Sequence, residues 1–226
     1  MIGRLNEAEA RRTEAQEAPR RTRRPRAPAL DKALDKVESR RMALAGAALE
    51  TLAELGYART SLRDIADKSD FTHGVLHYYF KDKTDLICCA MRQYKAVCAT
   101  RYDQVTIRAE TPGELIEGVA AKLAETLRED ALTHRLWYDL RAQAMFEEAF
   151  QADVVEIDQR LENMVWRIGA RLSELSGRAI GLSPAALYGL FDGIFQRSLL
   201  RHLTGEAAAS AELQEEARRI LTTLIR

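Results

Sequence analysis

The chain has 226 residues, 46% of them apolar, and its 34 Lys and Arg are matched by 34 Asp and Glu, so the formal net charge is zero. That size suits one large or two small domains with an ample core, and the neutral balance removes any whole-chain electrostatic case for nucleic acid. Three cysteines, two of them adjacent, make no disulfide framework and suit a reducing cytoplasm, no apolar run is long enough to span a bilayer, and the N-terminus lacks the apolar stretch of a signal peptide.

The charge is unevenly placed. Residues 1–30 carry eight arginines against four glutamates. Residues 1–29 have few large apolar side chains and include Pro19, Pro25 and Pro28, which predicts a disordered Arg-rich arm. Its run RRTRRPR, Arg20 to Arg26, suits a minor groove or a track of phosphates, and equally a solubilising tail.

A first helix is expected from about Leu30 to Leu55, burying Leu34, Val37, Ala45, Ala48, Leu49 and Leu52, with Gly56 as its stop. Lys36, Arg40 and Arg41, near its start, suit a DNA backbone or plain solvent. Ser61, with Asp64 three residues on, approximates a capping box, and Leu62, Ile65 and Ala66 form the apolar stripe behind it. Lys68-Ser69-Asp70 breaks that helix, and Thr72 caps the next. There Val75, Leu76, Tyr79 and Phe80 share one face, and His73, Gly74, His77, Tyr78 and Lys81 the other. Two imidazoles, a phenol and a lysine can hydrogen-bond a base edge or a phosphate. Gly74 permits close approach, at a helix-propensity cost of about 1 kcal/mol. Asp82 caps a fourth helix, expected to reach about Tyr102. Lys83 in its first turn opposes the helix dipole; a phosphate bound there would make sense of it, and an ordinary exposed lysine is the plainer alternative.

Two short helices joined by a tight turn, the second presenting polar groups outward, form a helix-turn-helix. The segment resembles the DNA-binding domain of the tetracycline-repressor (TetR) family at Gly56, Tyr57, Thr60, Ser61, Ile65, Ala66, Thr72, Gly74, Leu76, Tyr79, Phe80, Lys83 and Leu86. The match is strong from about Leu44 to Leu86, and beyond it rests on length and helix order. Asp70 stands where the family usually has glycine, and His77 where it usually has tyrosine, which puts the family's phosphate contact at that position in question.

After Asp103 the pattern is amphipathic helix throughout. Pro112 opens a helix carrying Leu115, Ile116, Val119, Leu123 and Leu127. Further helices are expected from Ala131 to Phe150, from Asp153 to Leu175 with a stop at Gly177, from Ser183 to Gly205, and from Ser210 to Arg226. The expected fold is all-α, about nine helices: a three-helix N-terminal helix-turn-helix domain, residues 30–82, and a C-terminal helical bundle, residues 83–226. The hint of a small-molecule pocket is aromatic: Trp137, Tyr138, Met145, Phe146, Trp166, Tyr188, Phe191 and Phe195, with Arg141 needing an anion if it faces inward. Side chains of this kind at helical spacing also serve as plain core.

Sharper chemistries find little support. His73 and His77 have the i, i+4 spacing of a metal pair without a third ligand. Cys88 and Cys89 point in different directions on a helix, and Cys98 is more than two turns away. No phosphate-cradling glycine loop, nucleophile elbow or metal motif is present, so neither enzyme chemistry nor a cofactor is expected. The resemblance implies a homodimeric, cytoplasmic repressor that binds operator DNA and a small-molecule effector. On the helix order, DNA would meet Thr60, Ser61, Thr72, His73, Gly74, His77, Tyr78 and Lys83, with the fourth helix transmitting the effector's signal. The alternatives are a helical enzyme or cofactor carrier with an incidental helix-turn-helix, and an effector-free DNA-binding protein.

Overall fold

The computed structural model describes the backbone of residues 28–58 and 60–226, and side chains from Asp35 onward, Arg59 excepted. The arginine-rich arm as far as residue 27, and the side chain of Leu34, therefore lie outside what is described. Residues 37–226 form one compact unit. Among the described residues there are ten helices and no strand: α1 Pro28–Leu55, α2 Leu62–Asp67, α3 His73–Tyr79, α4 Lys83–Cys98, α5 Asp103–Arg108, α6 Pro112–Glu129, α7 Ala131–Gln143, α8 Glu148–Ser176, α9 Pro184–Leu203 and α10 Ala209–Thr223.

Local signals set most of the boundaries. Ser61 accepts from the Asp64 N–H while Asp64 accepts from the Ser61 N–H, a complete capping box. Thr72, Asp82, Thr111 and Ser183 each accept from the N–H three residues on. Gly56 after α1 and Gly177 after α8 take positive φ, 77° and 67°, where a side chain would be strained. The fourth helix, expected to reach about Tyr102, ends at Cys98; turns follow from Ala99 to Tyr102, and then α5, a short helix the sequence analysis did not anticipate.

Two further expected spans differ. α7 leaves the helix at Ala144, and α8 begins at Glu148, earlier than expected. Between them the N–H groups of Met145, Phe146 and Glu147 turn back onto Ala142 and Gln143 carbonyls. At the start of α1, Val37 is 44% exposed rather than buried, and full burial begins at Leu44.

The largest buried cluster runs from the first three helices into the rest of the chain. Leu44, Leu52, Ile65, Leu76 and Phe80 from α1 to α3 join Leu86, Ile87 and Met91 of α4, and then Trp137, Leu140, Phe150 and Ile157 of α7 and α8. A second cluster packs Leu115 and Val119 of α6 against Ile168 and Leu172 of α8, Leu187 of α9 and Leu221 of α10. Close packing of this kind makes a shift in α4 or α7 costly to absorb locally, so it is passed to the neighbours.

Candidate DNA-reading surface and effector cavity

Two regions carry the expected functional residues. The first is α3. Leu76 and Phe80 are fully buried and Val75 and Tyr79 pack against the core, which fixes the roll of this two-turn helix. His73, Gly74, His77, Tyr78 and Lys81 are consequently exposed, Tyr78 to 80%. The two imidazoles stack edge to face at 4.3 Å. A Cβ added at Gly74 would meet nothing within 4 Å, so no intramolecular contact requires glycine there. By contrast, a Cβ at Gly169 would lie 2.8 Å from Leu187, and there the packing of α8 on α9 is the reason for the glycine. Thr72 and Ser61 are exposed caps with side chains at the protein surface.

Three residues of this region are more occupied than the sequence suggests. Thr60 is buried, its hydroxyl donating to the Gly56 carbonyl at 2.6 Å. The Lys83 ammonium donates to the Tyr57 carbonyl at 2.7 Å and lies 4.0 Å from the Tyr57 ring centroid, so it is not the free cation expected at the start of α4. Arg41 is a clamp: it donates to the Tyr79 carbonyl at 3.1 Å and to Asp85 at 2.6 Å and covers the Phe80 ring.

Tyr57 then links this segment onward. Its N–H donates to Asp139 at 3.0 Å, its hydroxyl to Glu147 at 3.0 Å, and its ring meets Phe150 edge on. Arg135 donates to the last-turn carbonyls of Ala53 and Glu54, at 2.7 and 3.0 Å. One face of α7, through Arg135 and Asp139, thus holds the end of α1 and the turn into α2. No signal in the sequence marks these partners, since each is about eighty residues from its acceptor or donor.

The other face of α7 lines the second region, a cavity of about 90 Å³. Trp137, Tyr138, Tyr188, Phe191 and Phe195 of the expected set line it. Arg141 does face inward, and it finds its anions within the protein, Asp192 at 2.7 Å and Asp158 at 3.4 Å. Tyr138 and Tyr188 donate to the same two carboxylates, at 2.9 and 2.6 Å. Burial, with Asp192 beside them, pushes both phenols well above their usual range. The remaining three expected residues lie elsewhere. Met145 and Phe146 are 79% and 86% exposed, because the helix that would have turned them inward ends at Gln143. Trp166 is half-buried and packs with the second core cluster. The sequence analysis missed Lys95 and His134, which also line the cavity. A lysine in an amphipathic helix is ordinarily solvated, so only the absence of a polar face at that position could have marked it.

The remaining chemistries gain nothing from the structure. No group of three or more His, Cys, Asp or Glu among the described residues is arranged to hold a metal. Cys88, Cys89 and Cys98 are buried thiols, and burial beside Asp153 raises Cys88 to about 12, which makes it a poor nucleophile. No helix among the described residues is long and apolar enough to cross a membrane.

Comparison with known proteins agrees with this geometry. Residues 44–87 match the family model described as bacterial regulatory proteins, tetR family. The chain is 25% identical over 180 residues to the HTH-type transcriptional regulator BetI of Proteus mirabilis, covering 78% of this chain and 88% of that one. It is 28% identical over 132 residues to the HTH-type transcriptional repressor KstR2 of Mycolicibacterium smegmatis, covering 57% and 62% respectively. In fold it is similar to the transcriptional regulator FadR of Bacillus subtilis solved with stearoyl-CoA, with a TM-score of 0.65 and 18% identity over 82% of this chain and 99% of that one.

Proposed function

This chain belongs to the TetR family of bacterial transcriptional regulators, and from that premise we propose that it is a cytoplasmic, homodimeric repressor which binds operator DNA through α3 and leaves it when a small molecule enters the cavity. The observation that carries the proposal is the exposed His73, Gly74, His77 and Tyr78 surface on a helix whose other face is locked in the core. In this division of labour residues 30–82 meet DNA, and residues 83–226 bind the effector and the second copy. His73, Gly74 and His77 face base edges, with Thr72 beside them. Tyr78 and Ser61 face phosphates, Lys83 adds its charge beside them while held on the Tyr57 carbonyl, and Thr60 acts by shaping the turn before α2.

Dimerisation is supported by α9. Its inner face is satisfied by Leu187, Phe191, Phe195 and Leu199, yet Leu190 and Leu200 are 44% and 66% exposed on the other side. Gly189 and Gly193 lie between them with open space where a Cβ would stand, so another backbone can come close. With α10 beside it, this face offers a two-fold four-helix contact. Light scattering on the micromolar protein should report twice the 25.5 kDa chain; a monomer would remove this part.

The switch runs through two elements. α4 places Lys83 on Tyr57 at one end and Lys95 at the cavity near the other. α7 holds the α1–α2 turn on one face and the cavity on the other. A ligand that shifts either helix would change the spacing of two recognition helices that must meet major grooves about 34–36 Å apart, or a multiple of it. A coupling of about 1–3 kcal/mol would weaken DNA binding about 5- to 150-fold.

The test is fluorescence anisotropy on a duplex selected from genomic DNA, and on a scrambled one, at several salt concentrations. His73→Ala should cost about 1–3 kcal/mol on the operator and relax preference at one or two base pairs. Lys83→Ala should weaken both duplexes alike and lower the salt slope by about one unit. Equal losses for His73→Ala on both duplexes would reverse the two roles. Removal of residues 1–29 should also lower the salt slope if the arginine arm tracks phosphates.

A further inference from the structure

Among the described residues Lys95 is the only Lys, Arg, Asp or Glu that is buried, at 2% exposure, and it lines the cavity. A buried ammonium is ordinarily paired. Lys95 is not: no carboxylate of the described residues forms an ion pair with it. Those around the cavity are committed elsewhere, Asp130 to Arg101 at 2.5 Å, and Asp158 and Asp192 to Arg141. Asp158 and Asp192 also accept from Tyr188 and Tyr138. The anions are satisfied and the cation is left over.

Its one hydrogen-bond partner sharpens this. Lys95 Nζ lies 3.2 Å from His134 Nδ1. An ammonium only donates, so Nδ1 accepts and the neutral imidazole carries its proton on Nε2. Burial first, and the Lys95 charge second, hold His134 well below its usual range and so keep it neutral. His134 Nε2 is buried without a partner. Two N–H groups of Lys95 and one of His134 are therefore donors with no acceptor among the described residues. Two of the aromatic faces that line the cavity, those of Trp137 and Tyr138, are covered by the protein's own cations. Lys95 lies 5.0 Å from the Trp137 ring and 5.4 Å from that of Tyr94, and Arg141 lies 5.8 Å from that of Tyr138.

We infer that the effector is an organic monoanion, its carboxylate received by Lys95 Nζ and His134 Nε2 and its apolar body packed against Trp137, Phe191 and Phe195. This rests on the proposal that the cavity is the effector site. The cavity, about 90 Å³, is smaller than the ~150 Å³ of an engineered cavity that takes benzene. A short aliphatic acid fits the space as it stands, and an aromatic acid has to part the helices around it, which is the displacement that the switch needs.

The experiment uses the full chain and three isosteric sets: butyrate, hexanoate and benzoate, each with its primary amide and its ammonium counterpart (butylammonium, hexylammonium, benzylammonium). Binding is read by calorimetry and by thermal shift. At least one acid should bind, and its amide and ammonium counterparts should bind about tenfold more weakly or not at all. Lys95→Met should remove about tenfold from the acid and leave the amide's weaker binding unchanged. That variant is checked for folding by its cooperative melt; the wild-type comparison of acid, amide and ammonium stands without it. Amides or ammonium ions that match the acids would overturn the anion assignment while leaving the cavity as the effector site. Failure of all nine compounds to bind would overturn the assignment of a small carboxylate to this cavity, and the effector site itself would fall only if no ligand that binds there released DNA.

Discussion

The recognition surface and the cavity are built in opposite ways. On α3 the functional side chains face water, and the helix is held by its own cap and by Leu76 and Phe80 on the far side. Substituting an exposed residue there costs little, because its ring contacts are only with neighbours on the same helix. In the cavity the functional side chains are also the structure: Trp137 is 1% exposed and belongs to the main core cluster, while Lys95 is buried at a cost. On the proposed assignment, function on α3 is nearly independent of stability. Effector binding in the cavity, as proposed, would be drawn against it.

The largest expected effect tests that contrast directly. Trp137→Ala should lower the unfolding free energy by about 3–5 kcal/mol, the range for deleting a large buried aromatic. Tyr78→Ala, 80% exposed in the starting protein, should stay within about 0.5 kcal/mol in the same urea titration and yet lose DNA affinity. Equal stability losses would mean that α3 is also held through its outer face.

Next comes the lysine. Burial lowers Lys95 to about 8 from 10.5. Below pH 8 it is charged in both folded and unfolded chains, and the folded state bears the full penalty. Between about 8 and 10.5 the unfolded chain binds more protons, so the penalty is shed as pH rises. Lys95→Met should therefore be more stable than the wild type at pH 7, by about 3 kcal/mol as an upper figure, and the difference should vanish by about pH 10.5. The groups facing Lys95 are Tyr94, Cys98 and Arg101 on its own segment, His134 and Arg141 on α7, and Asp192 on α9. They are common to both proteins and largely cancel in the comparison. Urea midpoints across that range measure it. A variant less stable at pH 7 would show that Lys95 is a structural residue with a net favourable setting.

The smallest effect has the opposite sign to its functional consequence. Gly74→Ala should stabilise the protein by up to about 1 kcal/mol, since alanine is the better helix former and the added methyl meets open space. The same variant should bind operator poorly, because the close approach is lost. Anisotropy and urea unfolding on one preparation settle both signs. Unchanged DNA binding would leave Gly74 without a functional reason.

How much of this was legible follows from distance along the chain. The caps at Ser61, Thr72, Asp82, Thr111 and Ser183 each close a bond over three residues, and the outward face of α3 follows from the 3.6 period once Leu76 and Phe80 are assigned inward. The same period misplaced Met145 and Phe146, because it assumes that a helix continues, and α7 stops at Gln143. Lys83 was identified as an unusual cation, and its local setting suggested a phosphate; the Tyr57 carbonyl that receives it is 26 residues away.

By itself, then, the sequence determined most of the helices, their caps, the face that α3 turns to solvent and the family resemblance of the helix-turn-helix, since all of these rest on contacts within one or two turns or on a short motif. Only the tertiary structure decided that α7 serves the cavity and the α1–α2 turn at once, that Arg141 is answered by Asp192 and Asp158, and that Lys95 is left unpaired beside His134. Whether a charge is solvated, paired or stranded depends on which other helices pack over it, and no local pattern carries that information.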